Sequence, residues 1–348
     1  MRRGPATGVN EGIRAALIGG CVSTSNVEGA IALGREPIGT HAHSLVQAYM
    51  AIGGGELGAF RAMAGSAPDQ CVLLVDTVNT LESGVPNAIA VFDELRAAGH
   101  EPLGVRLDSG DLAYLAVHTA KQLDDAGYPD ASIVLSSDLD ELTIWQILTQ
   151  IGDDAERIDI DPAPIRARLV FGVGTRLITS HGSSALNGVY KLVGIENDTG
   201  GWTPAIKISE DPGKVPLPGR KVVWRLYDQR GTAVVDLIGL ADEVPFPTDS
   251  IVVHDPNREG VTQTISRADI SEIEVLHGET HHTGWGGGSA RTTSSIDAAA
   301  QRCSTDVDRL DVGVRRLVNP HRYHVSVTDR LHHLRRELIE HARAAPDV

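Results

Sequence analysis

The chain has 348 residues, more than one compact core normally organises, so a large domain with a smaller appendage is expected. Its formal net charge of −15 argues against nucleic acid or an anionic membrane as the main partner, because both reward a basic surface. Cys21, Cys71 and Cys303 lie far apart without paired spacing, and the sequence offers neither an apolar run of roughly 18 residues nor a signal-like start, so a cytoplasmic protein without a disulfide framework is expected.

Short β-rich apolar runs alternate with segments of helical period. Strands are expected at residues 16–22, 37–40, 72–76, 103–107, 133–136, 169–172 and 190–195. A helix over 43–51 should follow the second of them. Over 85–98, Ala88, Val91, Phe92 and Leu95 form one stripe and Gly99 supplies a stop; residues 111–126 repeat the device with Gly127. The strands beginning near 72, 103 and 133 are spaced by one βαβ unit. Seven such strands predict a closed or nearly closed parallel α/β barrel. Residues 222–227 and 233–240 flank Asp228-Gln229-Arg230-Gly231-Thr232 as a β-hairpin. A Gly/Ser/Thr-rich loop or linker is expected from 281, with His277, His281 and His282 as solvated residues rather than metal ligands. Leu331, Leu334, Leu338 and Ile339 predict a docking helix over 328–343. The expected domains are a barrel core over 1–200, a mostly β appendage over 201–280, the loop over 281–305 and a C-terminal segment over 306–348 with that helix.

Working residues in parallel barrels follow the strands, and those positions here are polar: 23–26, 40–44, Asp76 with Asn79, Arg106 with 108–111, 136–138 and 172–175. Phe171-Gly172-Val173-Gly174-Thr175 reads equally as a cradle for a 5′-phosphate or as a tight turn that needs glycine. Arg106 and Asp108 share one side of a strand end. They suit ribose hydroxyls and a carboxylate or phosphate, or else form a structural ion pair with Asp108 or Ser109 capping the next helix. Asp111 reads as a first-turn acid of that helix, and Arg176 as a reinforcing or snorkelling side chain. Thr40-His41-Ala42-His43-Ser44 places two imidazoles where a strand meets a helix, and imidazole serves as base, proton shuttle or nucleophile toward phosphorus. Only one of His41 and His43 should face the pocket, and either alone reads as a structural histidine. Asp76 could meet magnesium through water or a diphosphate, or simply end its strand. Lys191 is the candidate if the barrel were instead an aldolase.

Taken together, Met1-Arg2-Arg3-Gly4, Ser23-Thr24-Ser25-Asn26-Val27, Gly39-Thr40-His41-Ala42-His43-Ser44, Val105-Arg106-Leu107-Asp108-Ser109-Gly110-Asp111-Leu112 and Phe171-Gly172-Val173-Gly174-Thr175 resemble nicotinate phosphoribosyltransferase in order and spacing. Asn319-Pro320-His321-Arg322-Tyr323 supports the match. The resemblance implies an irregular TIM-like α/β barrel with an accessory domain, a homodimer, and transfer of phosphoribosyl from phosphoribosyl diphosphate to nicotinate with ATP hydrolysis and Mg2+. It implies that ATP phosphorylates His43 and that Asp108 binds ribose. Thr40, Arg106, Arg2 and Ser25 would contact nicotinate; Gly172, Gly174, Thr175 and Ser136 would hold phosphoribosyl oxygens; Asp76 would serve the metal. It further implies an N-terminal domain ahead of this start, absent here, and a glycine where Ser137 stands. A nicotinamide-using enzyme of the same class and a non-catalytic binding remnant are the alternatives.

Overall fold

Four short parallel strands, β1 (Val72–Leu74), β2 (Gly104–Leu107), β3 (Ser132–Leu135) and β4 (Leu169–Phe171), lie side by side in that order in the first of two units, Met1–Ser184. The computed structural model describes residues 6–179, 190–209, 215–277 and 295–344. Right-sized crossovers join the strands: α5 (Val85–Ala97), α6 (Leu112–Asp125), and α7 (Glu141–Arg157) with α8 (Pro162–Ala167). The expected stripe on α5 is buried as written, at Ala88, Val91, Phe92 and Leu95. On α6, Ala113, Ala116, Val117, Ala120 and Leu123 enter the same core, which also holds Val105, Leu107, Ile133 and Leu135. Asp111 is the N-cap of α6, its carboxylate accepting from Tyr114 N at 3.2 Å. It therefore precedes the first turn instead of lying in it, and neither Asp108 nor Ser109 caps this helix. Gly104 is required where it stands: its φ is +153°, and a Cβ there would sit 2.0 Å from the Ser132 carbonyl oxygen.

Three expected strands are corrected. Residues 16–22 do not form a strand, because α1 (Ala6–Ile18) runs into them and buries Ile13 and Leu17 at helical spacing. Residues 37–40 form no strand; Ile38 N donates to Thr24 O at 3.0 Å. Of 190–195 only β5 (Gly194–Glu196) is strand, and it pairs antiparallel with β6 (Trp202–Pro204), so it is no barrel strand. The α/β class stands, with four parallel strands among the described residues. The predicted helix at 43–51 is α3 (His43–Ala51), followed by α4 (Gly55–Ser66).

The second unit, Ala185–Val348, is built on a six-stranded sheet. Its strands are β7 (Lys221–Asp228), β8 (Ala233–Leu240), β9 (Ser250–His254), β10 (Thr262–Ser266), β11 (Ile270–His277) and β12 (Val325–Thr328), in the order β10-β9-β12-β8-β7-β11. The β7–β8 hairpin forms as predicted. Asp228 accepts from the backbone N–H groups of Arg230 and Thr232, and Gly231 takes a φ of +77°. Trp224, Leu226, Val235, Leu237, Val253 and Ile265 make the core. Residues 278–294, with His281 and His282, lie outside the described residues. The linker reading ends at Ser295, which caps α10 (Ile296–Asp308) by accepting from Ala298 N. The docking helix is α11 (Asp329–Ala344); Leu331 is fully buried against Leu240 and Val327, with Leu334 alongside. At its start His332 stacks on His254 of β9 with centroids 3.9 Å apart, and His254 Nε2 meets Asp329 Oδ1 at 2.8 Å.

Candidate active site

The C-terminal ends of β1, β2 and β3 bring one polar cluster together. Pairing aligns Leu74 with Arg106 and Arg106 with Val134, so the residues just after these strands emerge side by side. By pleat alternation Arg106 and Asp108 share a face, and Arg106 Nη2 donates to Asp108 Oδ1 at 2.9 Å. The rest of the guanidinium fork is also used: Nε donates to Ser136 Oγ at 2.8 Å and Nη1 to Thr40 Oγ1 at 2.9 Å. Ser136 in turn donates to Asp108 Oδ1. Burial alone would push the Asp108 carboxyl up, but the Ser136 hydroxyl, Arg106 and His43 outweigh it and hold the group below the usual carboxylate range. The result is an anion kept ionised beside a fixed cation at the mouth of a sheet.

The two histidines separate as expected. His41 is buried and tilts against Phe60; its Nε2 accepts from Leu74 N at 3.0 Å, and its Nδ1 lies 3.3 Å from the Ala42 carbonyl oxygen. It takes the place of a strand partner on the outer edge of β1, which is why 37–40 need not be a strand. Burial holds this imidazole below its ordinary value; the Ala42 carbonyl opposes that and Arg106 and His43 add to it. His43, the first residue of α3, turns the other way. Its Nδ1 lies 2.9 Å from Thr77 Oγ1, and its Nε2 faces Asp76 Oδ1 at 3.8 Å and Asp108 Oδ2 at 3.7 Å. Asp76 is almost wholly buried: Oδ2 accepts from Asp108 N at 3.1 Å and from the Ser109 hydroxyl, whereas Oδ1 has no hydrogen-bond partner. A hard, orphaned carboxylate oxygen beside Asp108 Oδ2 suits a hydrated divalent cation.

Thr40, Asp76, Arg106, Asp108 and Ser136 are thus brought into one bonded set, with His43 3.8 Å and 3.7 Å from its two carboxylates. Gly172 adjoins it, since a Cβ there would lie 3.3 Å from Ser136 Cβ, and Gly174 opens onto free space. Neither glycine has positive φ, so the turn does not need them for backbone angles, and room for close approach is the better account of the pair. Thr175 begins the short helix α9 (Thr175–Thr179) that follows this turn. Ser25 is exposed in the loop after α1 and is not in the bonded set. Arg2 lies outside the described residues. Arg176 does not snorkel freely: it is paired with Asp140, the N-cap of α7. Thr143 N–H, then the Thr143 hydroxyl, then Arg176 hold the Asp140 carboxyl well below the usual range. Lys191 is exposed and precedes β5 instead of lying on a strand, which removes the aldolase reading. Among the described residues no group of three or more His, Cys, Asp or Glu could hold a metal by itself.

Thr77 is the site residue that sequence reasoning passed over. Its signal was position, immediately after Asp76 at a strand end. Ser137 and Asp138 turn the chain out of β3 with φ of +104° and +44°, and Ser137 stands where the resemblance calls for glycine.

The nicotinate phosphoribosyltransferase family model matches residues 6–229, and that of the nicotinate phosphoribosyltransferase C-terminal domain matches 220–335. Nicotinate phosphoribosyltransferase of Bacillus subtilis is 48% identical over 233 residues, 67% of this chain and 43% of that protein. The enzyme of the same name from Dictyostelium discoideum is 31% identical over 374 residues, 92% of this chain and 59% of the relative, and the human one 30% over 285 residues, 80% and 48%. The chain spans about half the length of the curated relatives it matches. The crystal structure of human nicotinic acid phosphoribosyltransferase superposes with a TM-score of 0.67 at 23% identity, over 97% of this chain and 68% of that one. A nicotinate-nucleotide pyrophosphorylase from Pyrococcus furiosus gives 0.50 at 18%, over 89% and 64%. Both structural matches speak for the fold.

Proposed function

Because this chain belongs to the nicotinate phosphoribosyltransferase family, we propose that it joins nicotinate to the ribose of phosphoribosyl diphosphate, releasing diphosphate, with ATP hydrolysed alongside. The observation that carries the reading is the Arg106–Asp108–Ser136–Thr40 network with His43 set against it. Leaving diphosphate builds positive charge on the ribose ring, and Asp108, held ionised, supplies a fixed negative charge and acceptors for ribose hydroxyls. Arg106, whose fork has N–H groups beyond its three bonds, presents donors suited to the carboxylate of nicotinate, and Thr40, which accepts from it, would complete the contact by turning its hydroxyl from the His41 carbonyl. The Gly172 to Thr175 turn and Ser136 hold the 5′-phosphate, with Ser25 and Arg2 as the remaining nicotinate contacts.

His43 accepts the phosphoryl group of ATP and so brings a strong anion into the site, which recruits arginine and backbone donors. Asp76 and Asp108 would hold Mg2+ through water; the ion, when bound, neutralises the diphosphate. A cytoplasmic homodimer is part of the same proposal, and among the described residues no helix is long and apolar enough to cross a membrane.

The test is incubation of the chain with nicotinate, phosphoribosyl diphosphate, ATP and Mg2+, followed by chromatography. Nicotinate mononucleotide and ADP are expected, and His43→Ala should abolish ADP formation. Product from nicotinamide in preference to nicotinate, or no binding of phosphoribosyl diphosphate by calorimetry, refutes the reading.

A further inference from the structure

The Thr77 hydroxyl has no task in these roles, yet it touches the histidine at their centre. We propose that Thr77 is a positioning residue that donates its hydroxyl hydrogen to His43 Nδ1 and thereby, with Asp76 and Asp108 opposite, fixes the ring with its proton on Nε2 and its lone pair on Nδ1. The catalytic consequence rests on the reading of His43 as phosphoryl acceptor; the tautomer does not.

The geometry decides between the two neutral forms. Nε2 faces two carboxylate oxygens, Asp76 Oδ1 at 3.8 Å and Asp108 Oδ2 at 3.7 Å. A proton there is attracted by both, whereas a lone pair there is repelled by both. The first of those oxygens is buried without any hydrogen-bond donor, so no other proton screens it from the ring; at 3.8 Å an Nε2–H acts on it by charge rather than by a hydrogen bond. With the proton on Nε2, Nδ1 is an acceptor, and the group 2.9 Å from it is a hydroxyl able to donate. His41 provides the contrast two residues earlier: Leu74 N donates to its Nε2 at 3.0 Å, so that ring carries its proton on Nδ1, toward the Ala42 carbonyl.

Nδ1 is then the nitrogen that meets a phosphoryl donor. Its lone pair attacks the γ-phosphorus of ATP, the P–N bond forms, and the bond from that phosphorus to the bridging oxygen breaks, so that ADP leaves with the electron pair. The positive charge left on the ring is met through Nε2–H by the two carboxylates. The Thr77 hydroxyl, displaced from Nδ1, turns its hydrogen to a transferred phosphoryl oxygen.

Long-range 1H–15N correlation spectra of the 15N-histidine-labelled chain read each tautomer directly. His43 is expected protonated on Nε2 and His41 on Nδ1. Thr77→Val, which keeps the shape without the hydroxyl, should give His43 a mixture of tautomers and slow its ATP-dependent phosphorylation about tenfold. Thr77→Ser should restore both, while unchanged His41 signals report an intact fold. A wild-type His43 protonated on Nδ1, or a Thr77→Val spectrum identical to wild type, overturns the inference. If the tautomers follow expectation but wild type takes no phosphate from ATP, the acceptor role of His43 fails while the control by Thr77 stands.

Discussion

Replacing Arg106 by methionine keeps most of the aliphatic packing and removes the fork. Nη2 and Asp108 Oδ1 are 2.9 Å apart, which at an effective dielectric near 20 is a gross attraction of order 5 kcal/mol. Desolvation and side-chain ordering cancel much of it, since both side chains are only about a quarter exposed, 26% and 27%. A charge-assisted hydrogen bond nets about 2 kcal/mol, and the bonds to Ser136 and Thr40 bring the total loss to about 3 kcal/mol at pH 7. The pH dependence isolates the ionic share. The folded-state pKa of Asp108 is depressed, so its contribution is present above the unfolded value, about 4, and is lost as pH falls through the folded one. The penalty of Arg106→Met should therefore be full at pH 7 and shrink below pH 4. Hydrogen exchange of the β2 and β3 amides measures it for this unit alone. A penalty equal at pH 7 and pH 3, or an unchanged exchange rate at pH 7, would refute the reasoning.

Ser137→Gly should stabilise the first unit by about 1 kcal/mol, because a φ of +104° strains any side-chain-bearing residue; thermal unfolding shows it, and a lower midpoint contradicts it. His41→Ala strips the Leu74 N–H of its acceptor and opens space beside Phe60, so a loss of about 3 kcal/mol is expected in urea titration. Burial, then His254, His333 and Arg336, lower the pKa of His332 while Asp329 opposes them. A histidine with a depressed folded pKa loses stability as pH falls below its unfolded value, about 6.5. Melting midpoints of the second unit should thus drop between pH 7 and pH 5, and His332→Phe should flatten that slope.

What the sequence disclosed followed from period and punctuation. The apolar stripes of α5 and α6 closed by Gly99 and Gly127, the β7–β8 hairpin around Asp228 to Thr232, and the Arg106/Asp108 alternation are local signals, and each appears in the structure where local physics put it. Residues 16–22 misled because an apolar run before Gly19-Gly20 looks alike as a buried strand or a helix end; the spacing of Ile13 and Leu17 decides it, and that needs a partner surface. His41 could not be assigned from sequence, since its role depends on which backbone N–H lies on the free edge of β1. Thr77 and the Asp140–Arg176 pair were hidden for the same reason: their partners are 34 and 36 residues away.

The strand β12 has a consequence for how the second unit comes into being. It lies between β8 and β9, parallel to the one and antiparallel to the other, and is their link in the strand order. While residues 325–328 are still inside the ribosome, β10 with β9 and β11 with β7 and β8 are two separate ribbons, each with a bare edge that the other cannot close. Vectorial synthesis therefore delays completion of this sheet until residue 328 has emerged, about 90 residues after β8 ends, and during that interval the edges of β8 and β9 are open to pairing with other chains. Deleting β12 would be expected to produce aggregation during expression rather than a folded, shorter domain.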